Sequence, residues 1–320
     1  MSSVDCPLAC IDLSNPDRQA IAVQIRKACI DCGFFYVINH GVEQKLFDQV
    51  FEQSRHFFAL PQEEKIKLVL NESHRGYTPY QAEALNPSVQ SQGDWKESFY
   101  IGPQFSETSG DQKNRFYGPN QWPSNELLPQ WREIMLDYYE NVLNVGRRLV
   151  SLIAVALNLE ETFFNKPGMM DEPLAFARLL HYPSKQPNLD HEMIGAAAHS
   201  DYGMLTLLST NGMAGLQICR NKDVKPQNWE DIPPLKGAFV INIGDMLERW
   251  SNCLFRSTLH RVVTNGHERY SVAFFLDPNA NCLVECLPSC CNETNPTRFS
   301  PICSGDYLQE RIKMTYSITS

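Results

Sequence analysis

The sequence predicts an α+β protein in which helices come first and an antiparallel β-barrel or sandwich follows. Apolar residues recur at helical spacing through much of the first half of the chain. From Ala175 onward, short apolar runs alternate with Pro, Gly and Asn turns, which is typical of many short strands. The length of 320 residues and the hydrophobic content of 43% allow a sizeable core and argue against a disordered or fibrous chain.

Three helices and one strand are predicted in the first half. The first helix begins at Ser14-Asn15-Pro16, because Pro is tolerated in a first turn, and it ends at Cys32-Gly33. Residues 34–38 are apolar and are expected to form a buried strand. A second, amphipathic helix ends before Pro61, and a long third helix spans roughly residues 130–157.

The rest of the chain is predicted to be loops and short strands. Residues 73–122 are rich in Gly, Pro, Tyr and Trp with weak periodicity, so we expect loops laid over another part of the fold. Six later strands are predicted, at residues 175–180, 204–209, 215–219, 238–242, 257–263 and 269–276. Their spacing favours an antiparallel sandwich or barrel that carries the functional site.

Composition excludes several classes of partner. A net charge of -9 without a Lys/Arg cluster makes the chain a poor partner for nucleic acid or anionic lipid. The most apolar stretch, residues 149–159, is about half as long as a membrane span, and the N-terminus lacks a secretory signal. Eleven cysteines then predict reduced thiols, with Cys29 and Cys32 buried in the first helix. We expect a cytoplasmic protein.

The pattern with the clearest chemistry is His199-Ser200-Asp201, followed by His260. Side chains alternate along an extended strand, so His199 and Asp201 project to the same side. Two imidazoles and one carboxylate on one face of a metal suit non-haem Fe(II) and leave coordination positions open. An isolated H-x-D triplet is more often a surface turn or a structural histidine, so this pattern needs a second observation.

The second observation is Arg269-Tyr270-Ser271, nine residues after the distal histidine. Alternation places Arg269, Ser271 and Phe275 on one face of a strand. A guanidinium and a hydroxyl that point into a barrel have no packing role, but they fit a carboxylate. Glu268, the acidic residue next to Arg269, points to the other face of the strand and cannot pair with the guanidinium. We therefore expect a ligand to supply the carboxylate that Arg269 binds.

With these motifs the chain resembles the iron(II)/2-oxoglutarate-dependent oxygenases of the isopenicillin-N-synthase-like superfamily, plant small-molecule branch. H-x-D, a distal His about sixty residues on, and R-x-S carry the resemblance. Residues 9–13, 33–41, 57–61 and 75–77 also match stretches of this family. Within the branch, the chain is most similar to hyoscyamine-6-dioxygenase-like proteins.

The resemblance implies a distorted double-stranded β-helix (jelly-roll) core with an N-terminal helical segment packed around it. The helical segment is expected at residues 1–170, the oxygenase barrel at 171–285, and a C-terminal tail that covers the barrel at 286–320. We expect a monomer that acts on a small molecule.

The resemblance also implies the roles of individual residues. The catalytic iron ligands are His199, Asp201 and His260, and the residues that bind 2-oxoglutarate are Arg269, Ser271 and Tyr182. Phe275, Tyr100 and Tyr77 are expected to contact the organic substrate. Two positions depart from the family's N-Y-Y-P strand, since Leu180 replaces its Asn and His181 replaces a Tyr.

The implied reaction consumes 2-oxoglutarate and O₂ at Fe(II), releases succinate and CO₂, and oxidises a small, mainly apolar metabolite. Hydroxylation, desaturation, ring closure and demethylation all belong to this chemistry, and ascorbate helps to keep the iron as Fe(II). Two alternatives remain open. One is an iron oxidase of the same fold that does not use 2-oxoglutarate, whose Arg-x-Ser pair grips the carboxylate of its substrate. The other is an inactive small-molecule binding protein.

Overall fold

The computed structural model of the chain describes residues 7–85, 93–104, 116–184, 193–264 and 266–316. The helices are α1 Arg18–Asp31, α2 Gln44–Phe58, α3 Gln62–Ile66, α4 Trp131–Ala156, α5 Asp245–Trp250 and α6 Ser304–Tyr316. The strands are β1 Cys10–Asp12, β2 Phe34–Ile38, β3 Gly76–Thr78, β4 Glu97–Ile101, β5 Leu174–Tyr182, β6 Met193–His199, β7 Leu205–Thr210, β8 Leu216–Cys219, β9 Glu230–Asp231, β10 Phe239–Ile243, β11 Leu259–Thr264, β12 Arg269–Asp277, β13 Leu283–Val284 and β14 Ile302–Cys303.

Two sheets face each other and form the barrel. The larger has the strand order β1-β2-β10-β7-β12-β5-β4-β3, and the smaller has the order β6-β11-β8-β9. Leu180 and Ala273 of the larger sheet pack in one apolar cluster with Ala196 and Val262 of the smaller sheet. Since inner faces of paired sheets interdigitate in this way in sandwiches and jelly rolls, the predicted α+β jelly-roll class is confirmed.

Alternation along β12 separates the two sides of the larger sheet. Val272, Phe274 and Leu276 belong to the main apolar core that the sheet shares with the helices. Ser271, Ala273 and Phe275 line cavities on the other side. Helices α1, α2 and α4 therefore cover one face of the sheet, and the site lies on the opposite face.

Helix α4 lies close against the outer face of the larger sheet. A Cβ at Gly146 would come within 2.6 Å of the Leu276 side chain, so this position accepts no larger residue without movement. The observed bounds of α4 agree with the predicted span of residues 130–157. No helix in the described ranges is long and apolar enough to cross a membrane.

Two local predictions need correction. Helix α1 begins after Asp17, whose side chain accepts a 2.9 Å hydrogen bond from the Ala20 N–H, so Ser14-Asn15-Pro16 precedes the cap instead of forming the first turn. Strand β6 is absent from the predicted strands. Its sequence contains Gly195 and three alanines, which strands disfavour, and pairing with β11 stabilises it instead.

Candidate active site

Strands β6 and β11 of the smaller sheet bring together the predicted triad. His199 ends β6, Asp201 follows two residues later, and His260 pairs with His199 across the ladder. One ligand atom from each residue lies within 4.8 Å of the others. Both histidine Nε2 atoms lie 3.6 Å from Asp201 Oδ1. In the described part of the chain, this is the one group of three or more such side chains whose ligand atoms converge.

Backbone carbonyls orient the two imidazoles. His199 Nδ1 donates to Ala197 O at 2.7 Å, and His260 Nδ1 donates to Thr258 O at 3.2 Å. A carbonyl oxygen only accepts, so Nδ1 carries a proton in each ring, and Nε2 is the ring atom that faces the triad. Burial, with the neighbouring His260 ring, lowers the pKa of His199 to about 4, which keeps this imidazole neutral.

Asp201 is held by two side chains from the larger sheet. Its Oδ2 accepts hydrogen bonds from Asn242 Nδ2 at 2.7 Å and from Thr206 Oγ1 at 2.5 Å, which leaves Oδ1 directed at the imidazoles. Burial would raise the pKa of this carboxyl, but the two imidazoles and these hydrogen bonds lower it below its usual value. The donor set of two imidazoles and a carboxylate is one that Fe(II) takes.

A cavity between the two sheets, which we call the inner cavity, connects the triad to Arg269. Arg269 is 3% exposed, and its Nη1 donates to Ser271 Oγ at 3.0 Å. The guanidinium carbon lies 5.0 Å from the centre of the Tyr182 ring. Arg269 Nε has no hydrogen-bond partner, and no carboxylate pairs with this guanidinium in the described residues.

This arrangement leaves a buried cation without an anion, so it fits a ligand carboxylate. Leu180 lies beside Ser271 in the inner cavity and presents methyl groups where the family has an amide. Tyr182 also lines this cavity and lies directly against β6. A Cβ at Gly195 would come within 2.7 Å of the Tyr182 ring, so glycine at this position allows the ring its place.

His181 and Tyr77 lie away from the cavities, in a buried polar network on the helical side of the larger sheet. His181 Nδ1 lies 2.7 Å from Glu97 Oε1, and the imidazole stacks on the Tyr270 ring. Tyr77 is 0% exposed, and its hydroxyl donates to Glu97 Oε2 at 2.5 Å. The position of Tyr77 does not support the predicted contact with substrate. The His181 departure is explained by its pairing with Glu97.

A second cavity, which we call the outer cavity, opens on the other side of the triad. Its wall includes His199, Asp201 and a group of mainly aromatic and aliphatic side chains: Tyr100, Phe116, Phe176, Phe275, Leu308 and Ile312. Phe275 lines both cavities, and Tyr100 lines the outer one. Leu308 and Ile312 come from α6, so the C-terminal helix contributes to this wall.

Four buried charged side chains form a cluster at the cavity walls, and sequence reasoning missed all of them. Arg178 binds Glu83 through Nη2 at 2.5 Å, and Lys96 Nζ lies 3.0 Å from the same carboxylate. Lys96 also pairs with Asp94, whose Oδ1 accepts from the Ala197 N–H at 2.9 Å. The cluster therefore reaches the strand that carries His199. The sequence alone does not indicate this cluster, because its four residues come from three separate segments of the chain.

Asn242 and Thr206 were also missed, although each leaves a trace in the sequence. Asn242 is the one polar residue of the β10 segment Phe-Val-Ile-Asn-Ile, and Thr206 lies among leucines in β7. A polar residue at a buried strand position needs a partner. That partner is Asp201, which lies 41 residues before Asn242 in the chain.

Comparison with known proteins places this geometry in a family. Residues 8–125 match the family described as the N-terminal region of non-haem dioxygenases in morphine synthesis, and residues 175–278 match the 2OG-Fe(II) oxygenase superfamily. The chain is 45% identical to kihadalactone A synthase of Citrus sinensis, over 96% of this chain and 91% of that protein. It is 44% identical to azadirone synthase of Melia azedarach, over 98% of this chain and 94% of that protein.

A solved structure is similar over the whole chain. A full-length Neurospora crassa protein, crystallised in complex with alpha-KG (2-oxoglutarate), superposes with a TM-score of 0.83 at 27% identity, covering 100% of this chain and 98% of that one. These matches do not separate the branches of the family, so the hyoscyamine-6-dioxygenase-like placement stays a prediction. The chain belongs to the 2OG-Fe(II) oxygenase superfamily and is an oxidoreductase that uses Fe(II) and 2-oxoglutarate to oxidise a small molecule.

Proposed function

We propose that Fe(II) binds at His199, Asp201 and His260, that 2-oxoglutarate binds in the inner cavity, and that the organic substrate binds in the outer cavity. The observation that carries this assignment is the pair of features at the two ends of the inner cavity. One end presents three converging ligand atoms, and the other presents a buried guanidinium without an anion. A dicarboxylate that chelates a metal at one end and binds Arg269 at the other satisfies both.

Bound Fe(II) supplies the redox chemistry by which O₂ oxidises 2-oxoglutarate to succinate and CO₂ and oxidises the organic substrate. The residues of this chain bind, orient and exclude water. Arg269 forms two parallel hydrogen bonds to the far carboxylate of the cosubstrate, and Ser271 adds a hydroxyl beside it. Asn242 and Thr206 hold Asp201 so that one oxygen stays free for the metal.

The outer cavity positions the organic substrate. Phe275 lines both cavities, so a molecule that packs on its ring lies beside the triad and the cosubstrate at once. The aromatic and aliphatic wall excludes water and favours a mainly apolar substrate. Two relatives that are named as synthases, of kihadalactone A and of azadirone, support a biosynthetic role in specialised metabolism.

A metabolite screen scored by substrate-dependent succinate formation tests this function. Purified protein with Fe(II), ascorbate and 2-oxoglutarate labelled at C1 is incubated with apolar metabolites, and released CO₂ is counted. We expect background release alone and a marked rise with the true substrate, with product formed in proportion to succinate. Product formation that proceeds equally well without 2-oxoglutarate would instead favour the oxidase alternative, with Arg269 bound to the substrate.

A further inference from the structure

The side chains of β12 that face the cavities continue past Phe275 to Asp277. No role has been assigned to Asp277 so far. Arg269, Ser271 and Ala273 line the inner cavity, Phe275 lines both cavities, and Asp277 lines the outer one. Asp277 is 4% exposed, and it adds a carboxylate to a wall that also holds the paired Glu83 and the triad residue Asp201 among many aromatic and aliphatic side chains. A buried carboxylate is retained only where its oxygens find partners.

The partners of Asp277 account for one of its two oxygens. Its Oδ1 accepts a 2.7 Å hydrogen bond from the Met204 N–H. The same oxygen lies against Gly203, where an added Cβ would come within 1.6 Å of it. No Lys, Arg or His forms an ion pair with Asp277 among the residues that the structure describes. Burial, with the nearby Asp201 charge, raises the pKa of this carboxyl to about 7.

Two other polar groups around the outer cavity, the Glu83 carboxylate and the Tyr202 hydroxyl, are paired with protein groups. Glu83 binds Arg178, and the Tyr202 hydroxyl lies 2.7 Å from Thr315 Oγ1. Asp277 Oδ2 differs because the protein offers it no donor in the described ranges. An acceptor in an apolar cavity is stabilised by a ligand that brings a donor, and it penalises a ligand that brings none.

We propose that Asp277 accepts a hydrogen bond from a hydroxyl or amine N–H group of the organic substrate. This inference rests on the assignment of the outer cavity to the substrate. The substrate class is then an apolar molecule that carries such a donor and presents its oxidised C–H bond to the triad. If Asp277 had a purely structural role, it would bind only the Met204 N–H, and the protein would not prefer ligands that carry a hydrogen-bond donor.

Matched ligands test the proposal on the wild-type protein. The probes are the alcohol, primary amine, ketone and methyl ether of two rigid hydrocarbon skeletons, decalin and androstane. Binding to the protein loaded with Fe(II) and 2-oxoglutarate is measured by calorimetry under argon, at pH 9, where the carboxylate is ionised and acts only as an acceptor. We expect the alcohol and the amine to bind about ten- to a hundredfold more tightly than the ether and the ketone of the same skeleton.

The variant Asp277→Asn separates substrate binding from structure. Its amide oxygen still accepts from the Met204 N–H, while its NH₂ group replaces the free acceptor with a donor. We expect the preference for the alcohol over the ketone to fall at least tenfold in this variant, with the calorimetric affinity for 2-oxoglutarate unchanged. Asp231→Asn removes an exposed carboxylate of β9 and serves as the matched control, with wild-type preference.

Equal binding of all four probes to the wild type would overturn the proposal, as would an unaltered preference in Asp277→Asn or the failure of every alcohol and amine to bind. If Asp277→Asn does not fold, the wild-type comparison decides alone. The proposed function fails separately. A protein that prefers the alcohols but releases no succinate with any metabolite would refute the oxygenase assignment while leaving the ligand preference intact.

Discussion

Replacing Arg269 with lysine keeps the positive charge at the end of the inner cavity but removes the planar guanidinium group. In the structure, Arg269 Nη1 binds Ser271 at 3.0 Å, and the guanidinium lies over the Tyr182 ring. The remaining N–H groups, including the unpartnered Nε, are available for a ligand carboxylate. A lysine ammonium offers one point of contact and cannot form the two parallel hydrogen bonds of a guanidinium.

The expected effect follows from the loss of one hydrogen bond to a charged group. Such a bond is worth roughly 1.5–3 kcal/mol, which corresponds to roughly ten- to a hundredfold in affinity. We therefore expect Arg269→Lys to raise the KM for 2-oxoglutarate by this factor. The KM for the organic substrate should change much less, because Arg269 lines the inner cavity and not the outer one.

Steady-state succinate formation, measured at varied 2-oxoglutarate and then at varied substrate, gives both constants. The matched control is Arg132→Lys, the same substitution at an exposed residue of α4 that stacks on Trp122, and it should leave both constants unchanged. The opposite pattern, in which substrate binding is weakened while 2-oxoglutarate is dispensable, would show that Arg269 grips the substrate. The proposed binding mode would then be wrong.

Three further outcomes follow from contacts in the site. Asn242→Ala removes the 2.7 Å hydrogen bond to Asp201 and should weaken Fe(II) binding by about ten- to a hundredfold. Fe(II) affinity is measured by competition with a chelator. The control variant Asn141→Ala, on the surface of α4, should bind Fe(II) as the wild type does. Equal Fe(II) affinities in both variants would remove Asn242 from this role. Phe275→Ala should raise the KM for the organic substrate or change the position of oxidation more than it changes the KM for 2-oxoglutarate. An effect on the KM for 2-oxoglutarate alone would contradict a contact between this ring and the organic substrate. Burial raises the pKa of Asp277 to about 7 from its usual value of 3.8, so the folded state keeps a proton that the unfolded chain releases, and stability should fall as pH rises between these values. The stability of the wild type relative to Asp277→Asn should thus decrease from pH 5 to pH 8, by about 1.4 kcal/mol per pH unit at most, and a constant difference in thermal midpoint would contradict the raised pKa.

The parts of the fold that the sequence predicts correctly are those with a strong local pattern. Helix α4 and strand β2 have clear apolar patterns, and their predicted bounds differ little from the observed ones. Alternation along β12 correctly places Arg269, Ser271 and Phe275 on the cavity side of the sheet. Strand β6 has no such pattern, because it carries a glycine and three alanines, and of these Ala196 packs in the apolar cluster between the two sheets.

The site divides in the same way. His199, Asp201 and His260 stand out because their residue types and spacing are unusual together, and the ladder between β6 and β11 brings them into contact. The buried ion pair of Glu83 and Arg178 joins residues that are 95 positions apart in the chain. No sequence motif around either residue indicates that the two side chains form a pair. Such contacts depend on sheet register, which no local pattern of the chain encodes.

In the proposed function, 2-oxoglutarate is oxidised at the iron bound by the triad. The most direct test of this step measures Fe(II) stoichiometry and succinate formation together in the wild type and in Asp201→Ala. We expect the wild type to bind one Fe(II) per chain and to form succinate, and the variant to keep its fold by circular dichroism while it loses both. A folded Asp201→Ala protein with stoichiometric iron and full succinate formation would contradict the account.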